Sequence, residues 1–312
     1  MIQVSKLTKQ YGDHIAVDQL SFTMESGQIH GFLGPNGAGK STTMNMITGC
    51  LAPTCGDVWL DGVNIFDEPE KIKGKIGYLP EIPPVYPDMT PREYLHYVAG
   101  LKGIPRKEIP QAVTSAMEAT RITHMADRLI GNLSKGYKQR VGISQAILGN
   151  PEIVILDEPT VGLDPRQILQ IRTLIQELGK HHTVILSSHI LGEIQAVCDH
   201  ITIIAGGKLI ACDSKENLEK AYSRRYVELA CRAEPAAITA ILAPYFPESA
   251  LTFGAEGEYC TVKADCTNIR LLPEQLFAAF AQADLPLHRL TTTEASLEDL
   301  FLELTQEGGN EL

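Results

Sequence analysis

The sequence has neither a long apolar run nor a surplus of positive charge, and each absence excludes a class of protein. No uninterrupted apolar stretch approaches the ~18 residues of a membrane-spanning helix. The N-terminal MIQVSKLTKQYGDH lacks the apolar core of a signal peptide, so none is expected. Acidic residues outnumber basic ones by 38 to 27, a formal net charge of -11. This balance lacks the basic footprint of nucleic-acid binding, and we expect no nucleic-acid partner.

Cysteines with metal-binding spacing are missing as well. The seven cysteines are an odd number, and no two of them form a CxxC pair. A zinc site or a framework of disulfides is therefore not expected, and a reducing cytoplasmic compartment suits such a chain.

The patterns that are present suggest two domains. With 312 residues and 44% hydrophobic composition, the chain is long enough for a large core and a smaller one. Residues 1–221 combine antiparallel hairpins with buried parallel strands, and a mostly helical insert occupies about 85–150. Residues 222–312 restart as strand, helix, hairpin, helix, strand and helix, which predicts a small accessory α+β domain of ferredoxin-like order. The predicted class is α/β.

Several local signals predict turns and helix starts. Asp61-Gly62 separates two strand-like runs and predicts a hairpin. Thr90, followed three residues later by Glu93, predicts a capped helix start. At the N-terminus IQVSKL and LSFTME predict two strands on either side of YGDH, and SLEDLFLELT near the C-terminus predicts an amphipathic helix.

A glycine-rich loop follows the apolar strand IHGFLG. The loop comprises Gly34, Pro35, Asn36, Gly37, Ala38, Gly39, Lys40, Ser41 and Thr42. It fits G-x-x-x-x-G-K-[ST] between a strand and a helix, where backbone N–H groups and the helix N-terminus bind phosphates. Lys40 is expected to bind the β- and γ-phosphates, and the Ser41 hydroxyl to ligate Mg²⁺. An ordinary glycine-rich turn is the alternative.

Two other apolar runs, EIVILDEP and HTVILSSH, are typical of buried parallel strands that end in polar residues. We expect Asp157 to hold Mg²⁺, usually through water, and Glu158 to polarise the attacking water as a general base. His189 is expected to contact the γ-phosphate from the next strand. Without the phosphate loop, an acidic pair or a lone histidine at a strand end would often be structural.

These motifs together resemble those of the ATP-binding subunits of ABC transporters. GPNGAGKST, LSKGYKQR, ILDEP, GLDP and SSH occur in that family's order and spacing, over residues 2 to about 220. LSKGYKQR is similar to the family's signature sequence, which other P-loop proteins lack. The resemblance implies a P-loop NTPase fold in which an ABC ATPase domain has a mixed sheet and a helical subdomain. It further implies ATP hydrolysis with Mg²⁺ for a separate multi-helix permease, at the inner face of the cell membrane.

The resemblance also implies roles for individual residues. Tyr11 matches the aromatic residue that stacks on adenine, and Asp164 matches a loop that touches the opposite subunit. Ser134 and Gly136 match the signature residues that grip the γ-phosphate of ATP bound to a second copy of the chain. Ser134 is expected to cap its helix, and a capping role alone is the alternative. Two ATP molecules would then be held head to tail in a dimer.

One position departs from the family's usual pattern. Glu81, in GYLPE, stands where most ABC subunits have glutamine. A carboxylate can bind Mg²⁺ or accept a hydrogen bond from water, but it cannot donate one. The resemblance associates glutamate here, and the tail TTTEASLEDLFLELT, with exporters of the drug-resistance and gliding-motility branch.

An apolar and aromatic surface is expected close to Glu81. Its members are Val85, Tyr86, Met89, Tyr94 and Tyr97. The resemblance implies that this surface receives a short helix of the permease. The alternative is that some of these rings only fill the helical insert.

Two rival functions are weighed against a transport ATPase. Translation factors of the ABC family carry two cassettes in one chain, and DNA-repair types carry coiled-coil arms or zinc cysteines. This chain has one P-loop, one LSKGYKQR and neither of those additions. A generic P-loop kinase would need an acceptor site and no signature. We therefore predict an ATPase subunit that powers export through a separate permease.

Overall fold

The computed structural model describes residues 1–222, 225–266, 273–294 and 301. Contacts group the chain into one unit that includes Met1–Lys215 and a second unit, Glu216–Glu303. This division falls a few residues before the predicted boundary at 221. The predicted helix SLEDLFLELT lies, apart from Phe301, outside the described residues.

An antiparallel sheet opens the first unit. Its strands are β1 (Ile2–Tyr11), β2 (His14–Met24), β4 (Cys55–Leu60) and β5 (Val63–Asn64), in the order β2-β1-β4-β5. Strands β1 and β2 are longer than the two predicted runs, because register shifts interrupt the alternation of apolar residues that predicts a strand. Lys6 and Gln19 lie in these two strands with positive φ angles. The hairpin at Asp61-Gly62 is confirmed, with positive φ at both residues.

A six-stranded mixed sheet forms the centre of this unit. Its strands are β3 (Ile29–Leu33), β6 (Ile76–Leu79), β7 (Ile153–Asp157), β8 (Thr183–Ser188), β9 (His200–Ala205) and β10 (Lys208–Ser214). The order is β10-β9-β3-β8-β7-β6, and only β10 runs antiparallel to its neighbour within this sheet. Every residue of β3, β7 and β8 is buried, as the continuous apolar runs predicted. Their carboxyl ends meet at one edge, where Leu33 pairs with Ser188 and Asp157 with Ser187.

Helices cover this sheet and build the predicted helical insert. The first unit contains α1 (Lys40–Ile47), α2 (Pro69–Lys73), α3 (Pro91–Leu101), α4 (Ile109–Ala119), α5 (Lys135–Ile147), α6 (Pro165–Gly179) and α7 (Leu191–Val197). Helices α3, α4 and α5 lie within the expected insert. The predicted capping box is confirmed: the Glu93 N–H donates to Thr90 Oγ1, and the Thr90 N–H donates to the Glu93 carboxylate.

The second unit begins within helix α8 (Lys215–Tyr222), whose residues after Lys215 belong to it. Its elements are β11 (Arg225–Cys231), α9 (Pro235–Leu242), β12 (Leu251–Glu256), β13 (Tyr259–Asp265), α10 (Pro273–Gln282) and β14 (Leu287–Glu294). The antiparallel order β12-β13-β11-β14 is the predicted ferredoxin-like order. Val227, Leu229, Val262, Leu276 and Phe280 are buried in its core. In the part of the chain that the structure describes, no helix has the length and apolar character to cross a bilayer.

Candidate active site

The glycine-rich loop joins β3 to α1 and takes backbone conformations that only glycine adopts easily. Gly37 and Gly39 have φ angles of 82° and 95°. A Cβ on Gly39 would lie 2.5 Å from the carbonyl oxygen of Ala16, so a side chain would collide with β2. Helix α1 begins at the next residue, Lys40, and its N-terminal N–H groups therefore face the loop.

Lys40 extends from the first turn of α1 into a buried cluster of oxygen atoms. Its Nζ donates to the carbonyl oxygens of Gly34 at 2.8 Å and Pro35 at 3.2 Å. The same atom lies 3.2 Å from Glu158 Oε1, and both side chains are 6% exposed. Because both partners are buried, this ion pair is poorly screened by water and holds the carboxylate against the loop.

Glu158 is held on its other side by His189. Its Oε2 lies 2.9 Å from His189 Nδ1, so the carboxylate bridges the lysine of the loop and the histidine of the next strand. Glu158 also has a φ angle of 47°, which is uncommon for a residue with a side chain and is found frequently at functional sites. The structure thus brings Lys40, Glu158 and His189 together, as expected from the order of the motifs.

Asp157 is 1% exposed, and its carboxylate contacts Ser187, which was not among the predicted site residues. The Ser187 hydroxyl donates to Asp157 Oδ1 and accepts from the Glu158 N–H at 2.9 Å, so it orients both acids. Burial, and then the charge of Asp157, raise the pKa of Tyr78. This phenol stays protonated and donates to Asn45 Oδ1 at 3.3 Å.

A cavity of about 550 Å³ lies at this sheet edge. Its predicted lining residues are Tyr11, Asn36, Gly37, Gly39, Lys40, Ser41, Thr42, Glu81, Glu158 and His189, and its unpredicted ones are His14, Ala16 and Val161. Gly34, Pro35, Ala38 and Asp157 are not among its lining residues. Its volume suits a ligand of nucleotide size. Tyr11 presents a half-exposed ring, and the Glu81 carboxylate is exposed.

The remaining predicted residues form a separate cleft. Ser134, Gly136 and Asp164 line about 240 Å³ together with Tyr137, Arg140, Arg166, Gln167 and Gln170. This signature cleft lies at the N-termini of α5 and α6 and shares no lining residue with the cavity of the glycine-rich loop. A Cβ on Gly136 would approach the Gln167 carboxamide to 2.8 Å, so a larger residue would force that side chain to move.

The two helix starts in the signature cleft are capped differently. Asp164 Oδ1 accepts from the Gln167 N–H at 2.9 Å and caps α6. Ser134 occupies the N-cap position of α5 in extended conformation, but its hydroxyl makes no capping hydrogen bond. The expectation that the Ser134 side chain caps its helix is therefore wrong. With no acid in the first turn either, the start of α5 remains an electropositive helix end.

The donors near the glycine-rich loop fit Mg²⁺ when nucleotide supplies further ligands. Ser41, Asp157 and Glu81 offer oxygen atoms, the ligand type that Mg²⁺ prefers. No group of three or more His, Cys, Asp or Glu able to hold a metal occurs among the described residues. Mg²⁺ is usually held by one or two carboxylates plus substrate phosphates, so such a protein cage is not required.

Comparison with known proteins decides the family. The family model described as "ABC transporter" matches residues 17–161. Over 315 residues the chain is 36% identical to the bacitracin transport ATP-binding protein BcrA of Bacillus licheniformis, covering 99% of this chain and 98% of that protein. The chain belongs to the ATP-binding subunits of ABC transporters. The linearmycin resistance ATP-binding protein LnrL of Bacillus subtilis (strain 168) is also 36% identical, over 70% of each chain.

Solved structures agree with this family assignment. An ATP-binding subunit of an ABC transporter superposes with a TM-score of 0.63 at 30% identity, covering 70% of this chain and 91% of that one. A dimeric ATP-binding cassette with bound ADP and Pi has a TM-score of 0.62 at 25% identity, covering 69% and 98%. The present ABC subunit is accordingly an ATPase with the P-loop NTPase fold that its motifs predicted.

The aromatic surface near Glu81 divides into a buried and an exposed part. Tyr94 is 2% exposed and its hydroxyl donates to the Pro84 carbonyl at 2.9 Å, so this ring fills the helical insert of the ABC subunit. Tyr86 and Tyr97 are 47% and 45% exposed, with ring centroids 6.0 Å apart. Tyr94 therefore only fills the helical insert, which was the alternative to a docking role. Tyr86 and Tyr97 remain accessible.

Proposed function

We propose that two copies of this subunit hold two Mg-ATP molecules head to tail and use their hydrolysis to drive export through a separate permease. The observation that carries the proposal is the separation of two incomplete sites. The P-loop cavity contains Lys40, Glu158 and His189, whereas the signature residues line another cleft. A second copy in the opposite orientation would place its signature cleft over the first copy's P-loop.

The chemistry on the P-loop side follows from the contacts of Lys40. On ATP binding, its Nζ exchanges the carbonyl oxygens and the Glu158 carboxylate for the β- and γ-phosphate oxygens. Glu158 is then available to accept a proton from the attacking water, with His189 orienting the carboxylate and contacting the γ-phosphate. Residues 34–42 supply backbone N–H groups, and Tyr11 stacks on the adenine. Ser41, Asp157 and Glu81 would hold Mg²⁺, which neutralises charge on the phosphates.

The chemistry on the signature side follows from the uncapped start of α5. The Ser134 hydroxyl and the first N–H groups of α5 are assigned to the γ-phosphate bound by the partner copy. Gly136 keeps the helix free of a side chain at this approach, and Asp164 lies on the loop that meets the opposite copy. ATP bound between the two copies then holds them together, and hydrolysis removes the γ-phosphate that both copies contact.

Membrane attachment is assigned to a permease, which would hold this subunit at the inner face of the cell membrane. Tyr86 and Tyr97, half-exposed beside the Glu81 segment, are the proposed contact for a short permease helix. BcrA is named for bacitracin transport and LnrL for linearmycin resistance. These names favour export of an antimicrobial compound, which the permease would select. Co-purification of a multi-helix membrane protein with the subunit tests this assignment.

The Glu158→Gln variant tests the ATPase mechanism. The amide keeps the size of the side chain but cannot act as a base, so hydrolysis should fall by about 10²-fold or more. Light scattering after size exclusion should then show a dimer in Mg-ATP and a monomer in its absence. The exposed Glu219→Gln variant is the charge-matched control. A Glu158→Gln protein that remains monomeric and hydrolyses at the parent rate would refute the proposal.

A further inference from the structure

We infer that Glu193 is a positioning residue that sets the relative placement of Glu158 and His189. Glu193 lies in the first turn of α7, shortly after His189 in sequence, and is only 5% exposed. Among the described residues no basic side chain forms an ion pair with it. A buried carboxylate without a cation must be satisfied by hydrogen-bond donors, and those donors show what this one holds.

Both donors are hydroxyl groups, and both reach the same carboxylate oxygen. Thr160 Oγ1 donates to Glu193 Oε2, and Ser188 Oγ donates to that oxygen at 3.3 Å. Thr160 is 5% exposed and Ser188 1% exposed. The two donors come from different strand ends, since Thr160 follows β7 and Ser188 is the last residue of β8.

Each hydroxyl belongs to a segment that carries a proposed catalytic residue. Thr160 follows Glu158 by two positions, in a turn closed by the Val161 N–H donating to the Glu158 carbonyl at 3.2 Å. Ser188 directly precedes His189. Glu193 therefore joins the two segments whose side chains meet in the 2.9 Å contact between Glu158 Oε2 and His189 Nδ1.

The same link extends toward both the P-loop cavity and the signature cleft of this chain. The Ser188 carbonyl accepts from the Gly34 N–H at 3.4 Å, at the start of the glycine-rich loop. The Thr160 carbonyl accepts from the Leu163 N–H at 3.2 Å, one residue before Asp164 in the signature cleft. Because misplacing a catalytic group by ~1 Å can lower a rate by about 10²-fold, loss of this buried link should act on turnover.

The inference rests on the proposed roles of Glu158 and His189, and a pair of substitutions at Thr160 tests it. Thr160→Val keeps the volume and removes the hydroxyl, whereas Thr160→Ser keeps the hydroxyl and removes a methyl group. We expect kcat for ATP hydrolysis to fall by about tenfold or more in Thr160→Val, with KM within about threefold of the parent value. Thr160→Ser should keep kcat within about threefold. A role in packing alone predicts the opposite ranking and would overturn the inference.

A double-mutant cycle identifies the partner. Glu193→Ala should lower kcat by at least as much as Thr160→Val, and the double variant should lose no more than Glu193→Ala alone, because the two residues act through one hydrogen bond. Glu193→Gln, which keeps an acceptor oxygen, should recover part of the loss. Folding of each variant is checked by thermal unfolding and by affinity for ATP. Losses that multiply in the double variant, or a folded Glu193→Ala with the parent kcat, would overturn the inference.

The reference variant Glu158→Gln separates the two proposals. If Glu158→Gln is inactive while Glu193→Ala keeps the parent kcat, only the positioning role fails. If Glu158→Gln hydrolyses ATP at the parent rate, the proposed mechanism fails first, and the role of Glu193 in it fails as well.

Discussion

The P-loop cavity and the signature cleft differ in how their charged groups are satisfied. In the P-loop cavity Lys40, Glu158 and His189 satisfy one another over distances of 2.9 to 3.2 Å. In the signature cleft the Ser134 hydroxyl leaves α5 without a side-chain cap, and the first helical turn contains no acid. The cavity is internally compensated, whereas the cleft offers an electropositive helix end to a group from elsewhere.

This difference fits the proposal that the signature cleft completes a nucleotide site on a second copy of the chain. A helix N-terminus favours an anion, and two arginines, Arg140 and Arg166, also line the signature cleft. Arg140 is already engaged, since it donates to Gln170 Oε1 at 2.6 Å and to the Thr120 carbonyl at 3.1 Å. The helix start and the Ser134 hydroxyl therefore carry the proposed contact. Variants on the two sides should separate ATP binding from turnover.

The largest effect is expected from a substitution in the P-loop cavity. Lys40→Ala removes the cation that pairs with Glu158 and is assigned to the phosphates, so ATP hydrolysis should fall by about 10²- to 10³-fold and ATP affinity should fall with it. Steady-state kinetics and nucleotide titration measure both quantities. The exposed Lys220→Ala variant is the control, and a Lys40→Ala protein with parental affinity and rate would contradict the assignment.

A slightly smaller loss of turnover, with no loss of ATP binding, is expected from a substitution in the signature cleft. In Ser134→Asp the new carboxylate can cap α5, so the free energy of unfolding should stay level or rise by about 0.5 kcal/mol. The same charge would face the partner's γ-phosphate, and hydrolysis should fall by about tenfold to 10²-fold. Thermal unfolding, ATP affinity of the monomer and turnover are measured together. If affinity and turnover fall in parallel, the two sites are not separate.

The smallest effect is expected at the rim of the P-loop cavity. Tyr11→Ala removes a ring assigned to the adenine base, and stacking of this kind contributes about 1–3 kcal/mol. The KM for ATP should therefore rise by about tenfold while kcat stays within about threefold. Tyr11→Phe keeps the ring and should retain most of the affinity. Equal losses in the alanine and phenylalanine variants would show that the hydroxyl, and not the ring, is responsible.

The residues that formed contiguous motifs were predictable from sequence. A strand, loop and helix in succession predicted the P-loop, and the two apolar runs predicted that Asp157, Glu158 and His189 end neighbouring strands. The parallel order of the sheet then places them at one edge. The lengths of β1 and β2 could not be predicted, because register shifts change which face successive side chains occupy.

The residues that support the site were harder to predict because each is a single polar residue. Ser187 and Glu193 lie in a different stretch of the sequence from Thr160, and the three acquire their proposed roles only when β7, β8 and α7 pack together. The two serines after VIL in HTVILSSH were the available signal, since polar residues that end a buried strand need hydrogen-bond partners. Ser134 shows the opposite case: its position at a helix start was predicted, but its side chain is not used as a cap.

Mixing two impaired variants tests whether the signature cleft of one copy acts on the P-loop of another. Lys40→Ala keeps the signature cleft, and Ser134→Asp keeps the P-loop, so a mixed dimer contains one intact composite site. Because half the dimers in an equal mixture are mixed and each has one such site of two, the mixture should reach up to about a quarter of the parent rate. A mixture no more active than the sum of the separate variants would rule out a composite site formed by two copies.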